Sequence, residues 1–288
     1  MALRVLTVLL ALLAAPAAAQ NAIGIVAAEN VYGDVARQIA RPDAKVSSIL
    51  SNPDQDPHLF EASASVARLL TNATIAVCNG ANYDPWMTKL LAATRTPGRG
   101  VIVVADLVHW QVGANPHLWY DPPTMPAFAT ALAAELSQRD PSHRDEYEAR
   151  LRAFLDSLQP LAARIAALRH QFGGTAVTAT EPVFGLMAAA LGLQMRNERF
   201  QLAVMNNAEP RASDVAAFET DLRTHAVRLM LFNSQATDTA AQRLLRIARQ
   251  SNVPVVGVTE TKPSAKTYQD WMTGELDAIA QALSGPRA

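Results

Sequence analysis

The sequence predicts an α/β protein of two lobes, each a mostly parallel β-sheet flanked by helices, joined by one long rigid helix that we call the spine helix. Three observations support this prediction. Strand-like apolar runs alternate with helix-like segments through short loops in residues 22–105, the alternation restarts after residue 173, and one long helical periodicity lies between the two regions. Such alternation is typical of parallel sheets covered by helices on both faces.

The chain begins with the pattern of an export signal. Residues 1–19 combine a basic start at Arg4, an apolar run at 5–15 and a small-residue ending, after which we expect cleavage. The apolar run is shorter than the roughly 20 residues that span a bilayer, which makes a membrane anchor the weaker alternative. We therefore expect an exported, soluble protein.

The single cysteine, Cys78, lies far from the expected cleavage site. A bacterial lipoprotein needs a cysteine as its first mature residue, so we expect no lipid anchor and a location in the periplasm. One thiol also excludes an internal disulfide, and stability must come from the core.

The first lobe, residues 20–140, carries the first set of alternating elements. The run at 22–27 predicts a strand, and residues 31–39, opened by Glu29 and Asn30, predict a helix. Further strands are predicted at 45–50, 74–78 and 101–105, and further helices at 63–70 and 85–93.

The spine helix is predicted over residues 141–172. Pro141 suits a first helical position, apolar residues recur at spacings of three and four, and Gly173 and Gly174 end the pattern. Pro160 lies inside this periodicity and predicts a kink or a break.

The second lobe, residues 173–288, repeats the arrangement of the first. No low-complexity linker separates the halves, which indicates a fixed geometry between the lobes. Strands are predicted at 175–178, 227–232 and 253–258, extended segments at 193–196 and 200–204, and helices at 182–191, 213–224, 239–250 and 267–283.

The composition excludes one class of partner. The 288-residue chain has a formal net charge of −1, is half apolar and has few aromatic residues. It contains no basic stripe with interleaved aromatics, so we expect no nucleic-acid partner.

Two loops built alike carry the candidate metal-binding histidines. His58 follows Asp56-Pro57, and His117 follows Asn115-Pro116. Each proline restricts the backbone of the residue before it, so the loop can hold an imidazole at a fixed reach. A single loop histidine is more often solvated, but two similar motifs together favour a ligand role.

Two carboxylates, Glu181 and Glu260, lie at the ends of predicted strands in the second lobe. Ligands of such sheets bind beyond the carboxyl ends of the strands, so one pair of side chains per lobe predicts a site in the cleft. Two neutral imidazoles and two carboxylates suit zinc, manganese or iron better than calcium or magnesium.

Each of these glutamates also has a simpler interpretation. Glu181 could stabilise the first turn of its helix, and Glu260 could be a solvated loop residue near Lys262. His109 lies close to His117 in the sequence and could line the same cleft.

Five segments around these residues match a known family in order, and the His117 loop is the most specific of them. The segments are Asp56-Pro57-His58, residues 115–122, residues 181–185, residues 208–214 and Val258-Thr259-Glu260-Thr261. The chain resembles the periplasmic metal-binding components of ABC importers for zinc and manganese, the cluster A-I, TroA-like or ZnuA-like solute-binding proteins. The resemblance covers essentially the whole mature chain.

This resemblance implies a ligand set and a rigid, helical-backbone fold. His58, His117, Glu181 and Glu260 occupy the four ligand positions, and the spine helix is the connector. The third ligand is His in many zinc binders and Glu in many manganese binders of the family, so Glu181 favours manganese or iron. The fourth ligand is usually Asp, whereas this chain has Glu260. Residues 109–115 lack the long His-rich loop of many Gram-negative zinc proteins.

The resemblance also implies a function without catalysis. We expect the protein to capture Zn²⁺, Mn²⁺ or Fe²⁺ as cargo and to deliver it, as a monomer, to the membrane permease of an ABC importer with its ATPase. Two alternatives stay open: a periplasmic zinc-dependent hydrolase, and a binding protein of the same fold for an organic metal chelate. Against the first, the sequence has no His-Glu-x-x-His motif. Against the second, few aromatic and arginine residues are candidates to line a cleft.

Overall fold

The computed structural model describes residues 22–52, 57, 60–206, 208–235 and 239–285. The predicted export signal and the candidate ligand His58 lie outside these residues. In the part of the chain that is described, every helix is too short or too polar to cross a membrane.

The first lobe contains a four-stranded sheet in the order β2-β1-β3-β4, with all neighbouring strands parallel. Each strand and helix predicted for residues 22–105 is present, with ends shifted by at most two residues. The elements are β1 (Ile23–Glu29), α1 (Asn30–Ala40), β2 (Ala44–Leu50), α2 (Ala64–Thr71), β3 (Ile75–Cys78), α3 (Pro85–Ala93), β4 (Gly100–Val103), α4 (Val104–Leu107) and α5 (Thr124–Arg139).

Helix α5 is an element that the sequence analysis did not predict. It buries one face, which includes Met125, Phe128, Leu132 and Leu136, in the core of the first lobe. These residues recur at spacings of three and four, as a buried helix face requires. The alanines between them are apolar as well, so the contrast between the two faces is weak in the sequence.

The predicted spine helix is two consecutive helices, and this corrects its bounds. A 3₁₀ turn at Pro141–His143 leads into α6 (Arg144–Ser157), and α7 (Gln159–Phe172) follows after Leu158. The break falls just before Pro160, as predicted, because proline lacks the N–H that would continue the hydrogen-bond ladder. Together α6 and α7 still connect the two lobes.

The second lobe contains another parallel four-stranded sheet, in the order β6-β5-β7-β8. A 3₁₀ turn at Pro182–Phe184 precedes its first helix. The elements are β5 (Ala176–Ala179), α8 (Gly185–Ala190), β6 (Gln194–Arg196), α9 (Glu198–Met205), α10 (Ala212–Arg223), β7 (Met230–Asn233), α11 (Thr239–Gln250), β8 (Val255–Val258) and α12 (Tyr268–Ser284).

The predicted extended segment at 200–204 is wrong, because these residues belong to helix α9. Phe200 is buried against Phe218, with 5.1 Å between ring centroids, and Val204 packs on the same core four residues later. That spacing is helical. From the sequence alone, this run of aromatic and branched side chains resembles a strand, because the sequence does not show the tertiary contacts.

One hydrophobic core extends through both lobes and the connecting helices. It includes Ile25 of β1, Leu168 of α7, Val258 of β8 and Leu276 of α12. Helix α12 packs against α7 and α1, so the second lobe returns to the first at the end of the chain. The carboxyl ends of β3, β5, β7 and β8 lead into the segments that carry the candidate site, and His117 lies in the loop between α4 and α5.

Candidate metal centre

His117 lies at the centre of the candidate site and is fully buried, with 0% of its surface exposed. It directly precedes a 3₁₀ turn at Leu118–Tyr120. The rings of Tyr83 and Trp119 pack edge-on against the imidazole, with centroids 5.6 and 5.5 Å away. These contacts hold the ring in one orientation and keep bulk water away from it.

Asn115 determines which imidazole nitrogen carries the proton. Its Nδ2 donates to the carbonyl oxygen of Pro182 at 2.5 Å, so its Oδ1 is the atom that faces His117. That oxygen accepts from the backbone N–H of His117 at 3.0 Å and lies 2.7 Å from Nδ1. An amide oxygen can only accept, so in the neutral ring Nδ1 carries the proton and Nε2 presents a lone pair.

This lone pair faces a carboxylate and not a donor. Nε2 of His117 lies 3.4 Å from Oε2 of Glu260 and has no hydrogen-bond partner among the described residues. Two buried electron-rich atoms repel each other unless a proton or a metal cation lies between them. The pair has the arrangement of two ligands of one cation.

Glu260 is held in place by three polar neighbours and is only 2% exposed. The hydroxyl of Tyr83 donates to Oε2 at 2.9 Å, and Nδ2 of Asn233 donates to Oε1 at 2.8 Å. Oε1 of Gln235 accepts from the backbone N–H of Glu260 at 2.6 Å. The interpretation of Glu260 as a solvated loop residue is therefore wrong.

Burial, and then the negative charge of Glu260, raise the pKa of Tyr83 well above its usual range. The phenol therefore stays protonated and donates to the carboxylate. Lys262 makes no ion pair with Glu260, because its Nζ donates to the carbonyl oxygens of Pro263 and Lys266 and lies 3.9 Å from Oδ1 of Asp34.

Glu181 lies where β5 gives way to a helical turn, as predicted, and is 7% exposed. Its carboxylate makes no capping hydrogen bond to that turn. Instead, Oε1 accepts from Nδ2 of Asn233 at 3.2 Å. A helix-stabilising role has little support, because the 3₁₀ turn is only three residues long and its dipole is small.

The structure brings three of the four predicted residues into one connected group. His117 and Glu260 are adjacent, Glu181 joins them through Asn233, and His58 lies outside the described residues. Across the described ranges, no three His, Cys, Asp or Glu side chains form a complete metal-binding group. His109 is exposed, with a φ of 53°.

A buried pair of carboxyl groups, Glu29 and Asp84, lies next to Tyr83. Backbone N–H groups of Asn79 and Gly80 donate to Asp84 at 2.8 and 2.9 Å, whereas the Glu29 oxygens have no donor among the described residues. Burial, and then the charge of Asp84, raise the pKa of Glu29 well above its usual range. Glu29 therefore keeps its proton to a higher pH than an exposed glutamate does.

Sequence reasoning missed the residues that support the candidate ligands. Tyr83, Asn115, Asn233 and Gln235 bind the ligand side chains or their backbone. One signal was available: Asn233 ends a strand in the same lobe as Glu181 and Glu260, and the sheet edge that predicted those glutamates also predicts it. Tyr83 carries no comparable signal.

Comparison with known proteins gives consistent matches over nearly the whole chain. The family model described as "ZnuA: Zinc-uptake complex component A periplasmic" matches residues 25–282. The manganese ABC transporter substrate-binding lipoprotein PsaA of Streptococcus pneumoniae is 22% identical over 281 residues, covering 90% of this chain and 89% of the relative. A putative metal-binding protein of Treponema pallidum is 23% identical over 252 residues, covering 80% and 77%.

Solved structures share the fold at low sequence identity. The periplasmic zinc-binding protein TroA of Treponema pallidum matches with a TM-score of 0.77 at 19% identity, covering 91% of this chain and 99% of that chain. The protein FpvC of Pseudomonas aeruginosa, solved in complex with Mn²⁺, matches with a TM-score of 0.75 at 20% identity, covering 91% and 98%. The predicted two-lobed α/β fold is thereby confirmed.

Proposed function

The chain belongs to the ZnuA family of periplasmic zinc-uptake components, and from this membership and the geometry of the site we propose that it captures a divalent transition metal between its lobes for an ABC importer. It is a substrate-binding protein and not an enzyme. PsaA is named as the substrate-binding lipoprotein of a manganese ABC transporter, and the hydrolase alternative is not supported.

One observation carries the proposal. The Nε2 lone pair of His117 is fully buried, has no hydrogen-bond partner among the described residues and faces Oε2 of Glu260 at 3.4 Å. Burying a polar atom without a partner costs about 1–3 kcal/mol. A protein retains such an arrangement where a ligand supplies the missing partner, and a metal cation satisfies both atoms at once.

We assign the metal ligands to His58, His117, Glu181 and Glu260. Nε2 of His117 and Oε2 of Glu260 are the first pair, and Glu181 adds a second carboxylate from the end of β5, which β7 separates from β8 in the sheet. His58 supplies the second imidazole in this proposal and lies outside the described residues. This donor set suits Zn²⁺, Mn²⁺ and Fe²⁺, which we propose as the candidate cargoes.

The proposed partners are a membrane permease and its ATPase, to which the protein delivers its metal as a monomer from the periplasm. PsaA of Streptococcus pneumoniae is named a lipoprotein. We propose that this protein works without a lipid anchor, because Cys78 is buried inside strand β3 and is not accessible for lipid attachment. The proposed lobe boundaries are residues 20–140 and 173–288, with 141–172 as the connection.

The test is a metal titration of the chelator-stripped chain from Gln20 onward, with zinc and manganese measured separately and in competition. We expect one metal ion per chain. His58→Ala, His117→Ala, Glu181→Ala and Glu260→Ala should each weaken binding by more than the roughly 10–100-fold that loss of an outer-shell partner costs. His170→Ala, at an exposed position of α7, is the matched control. Stoichiometric binding that survives His117→Ala unchanged would refute the site.

A further inference from the structure

Asn233 is a buried amide that joins the two candidate carboxylate ligands. It is the last residue of β7 and is 4% exposed. Its Nδ2 donates to Oε1 of Glu260 at 2.8 Å and to Oε1 of Glu181 at 3.2 Å. An amide NH₂ has two hydrogens, so each carboxylate receives one.

The orientation of this amide is fixed by its surroundings. Oδ1 of Asn233 accepts from the backbone N–H of Gln235 at 3.1 Å, so the NH₂ group must face the carboxylates. The backbone N–H of Asn233 donates to Oγ1 of Thr180 at 3.1 Å and ties the residue to the loop after β5. An aspartate in the same place could accept from Gln235 but could not donate to either glutamate.

These hydrogen bonds affect how Glu260 can bind a cation. Oε2 faces Nε2 of His117, whereas Oε1 is directed to Asn233. Oε2 also accepts from Tyr83, so each oxygen of Glu260 holds one hydrogen bond, and a metal that takes both oxygens shares Oε1 with Asn233. The hydrogen bond from Asn233 therefore favours binding of the metal through Oε2 alone.

The distance between the two facing atoms also fits four-coordinate binding. With bond lengths of about 2.0–2.2 Å, two ligand atoms at a tetrahedral angle lie about 3.4 Å apart, whereas at an octahedral right angle they lie about 3.0 Å apart. The separation of Nε2 and Oε2 is 3.4 Å. Hydrogen bonds from Tyr83 and Asn233 to Glu260, and between Asn115 and His117, hold the two atoms at this spacing.

Zinc and manganese differ in the number of oxygens that they take. Zinc sites are predominantly tetrahedral, whereas manganese resembles magnesium and calcium in preferring more oxygen ligands. We propose that Asn233 is a specificity-determining positioning residue, which engages one oxygen of Glu181 and one of Glu260 and so favours four-coordinate zinc over manganese. This inference rests on the proposed metal-binding function.

The test compares zinc and manganese affinities of Asn233→Ala with those of the unaltered protein. Zinc affinity should fall by roughly 10–100-fold, as for other outer-shell partners, while manganese affinity falls less or rises. The preference for zinc should therefore decrease by about tenfold or more. Asn233→Ser, whose hydroxyl donates to only one carboxylate, should give an intermediate preference.

Gln235→Ala is the matched control, because Gln235 binds the backbone N–H groups of Glu260 and Thr261. This substitution should lower the affinities for zinc and for manganese in similar proportion and leave the preference for zinc unchanged. Equal losses for zinc and manganese in Asn233→Ala would overturn the inference and leave Asn233 with a purely structural role.

A second readout needs no variant and does not depend on how well the substitutions fold. X-ray absorption of the zinc-loaded, unaltered protein should give about four ligand atoms at short distance. Five or more protein ligand atoms would overturn the inference even if zinc binds tightly. If the unaltered protein binds neither metal, the proposed function itself fails, and that outcome is distinct from a failed assignment of Asn233.

Discussion

At the scale of single residues, the chemistry of the site depends on amide side chains that are not themselves ligands. Asn115 holds the proton of His117 on Nδ1, and Asn233 holds one oxygen of each glutamate. Both amides have their orientation fixed by a second hydrogen bond, to Pro182 and from Gln235 respectively. The ligand atoms are thus positioned before any metal arrives, which lowers the cost of ordering them on binding.

The role of Asn115 predicts a specific pattern of loss and rescue. Asn115→Ala removes the acceptor for Nδ1–H, and we expect metal affinity to fall by about 10–100-fold. Asn115→Asp keeps an oxygen at that position, so it should recover most of the affinity although it cannot donate to Pro182. Competition with a chelator at fixed pH measures both variants. Equal losses in the two would show that Asn115 acts through the contact with Pro182.

The placement of Glu181, Glu260 and Asn233 at one sheet edge could be predicted from the sequence, whereas the supporting contacts of Asn115 and Tyr83 could not. Glu181 and Glu260 follow predicted strands, and sheet geometry alone places such residues at one edge. Asn115 and Pro182 are 67 positions apart, and Tyr83 and Glu260 are 177 apart. Contacts between distant segments depend on how the lobes pack, which no local pattern encodes.

At the scale of elements, prediction succeeded where the signals were local. Ser63 and Thr267 cap α2 and α12 through their hydroxyls, and Pro85 begins α3, so these starts were predicted within one residue. The residues of helix α9 were predicted to be extended because their composition is typical of a strand. In the structure, Phe200 is instead buried on one face of a helix. Local signals define where an element begins. Where the local signals are ambiguous, tertiary packing determines whether a segment is a helix or a strand.

Helix α12 carries a buried carboxyl group that supports the loop of Glu260. Oε1 of Glu275 accepts from Nε1 of Trp271 at 2.8 Å and from the hydroxyl of Tyr120 at 3.0 Å. The same hydroxyl lies 2.8 Å from the carbonyl oxygen of Thr259, the residue before Glu260. Burial raises the pKa of Glu275 to about 8, so this group is largely neutral at pH 7.

This raised pKa predicts how stability depends on pH. Unfolded Glu275 ionises near its usual value, about 4.3, while the folded group keeps its proton up to about pH 8. Its stabilising contribution is therefore complete below about pH 4 and is lost as the pH rises through 8. Between about pH 4 and pH 8, the free energy of unfolding of the unaltered protein should therefore fall relative to that of Glu275→Gln. The expected fall is on the order of a few kcal/mol.

Urea denaturation of the metal-free protein at a series of pH values checks this prediction. Asp277→Asn, at a largely exposed carboxylate on the same helix, is the matched control. The same pH slope in the unaltered protein and in Glu275→Gln would contradict the assignment.

At the scale of the whole molecule, the lobes are joined by more than the helices α6 and α7. Nδ2 of Asn30 donates to the carbonyl oxygen of Lys262 at 2.6 Å, and the N–H of Lys262 donates to Oδ1 of Asn30 at 3.0 Å. The N–H of Tyr268, at the start of α12, donates to Asp34 at 2.9 Å. The loop after Glu260 is thus attached to the first lobe, and we expect metal release to involve small rearrangements.

The paired contact of Asn30 with Lys262 gives the last prediction. Asn30→Ala leaves one buried N–H and one buried C=O without partners, each costing about 1–3 kcal/mol, so we expect a loss of roughly 2–6 kcal/mol in the free energy of unfolding. Lys262 is two residues after Glu260, and metal affinity should fall as well because the loop loses its attachment. Asn72→Ala, at an exposed helix end whose amide bonds Arg68, is the control.

Two measurements separate the effects on folding and on binding. Urea denaturation without metal gives the stability loss, and an unchanged dependence on urea concentration would show that the native fold is kept. Zinc titration under native conditions gives the change in affinity. A stability loss with unaltered affinity would mean that the contact joins the lobes without positioning Glu260. A loss of both would show that attachment of the loop to the first lobe is part of how the cleft holds its metal.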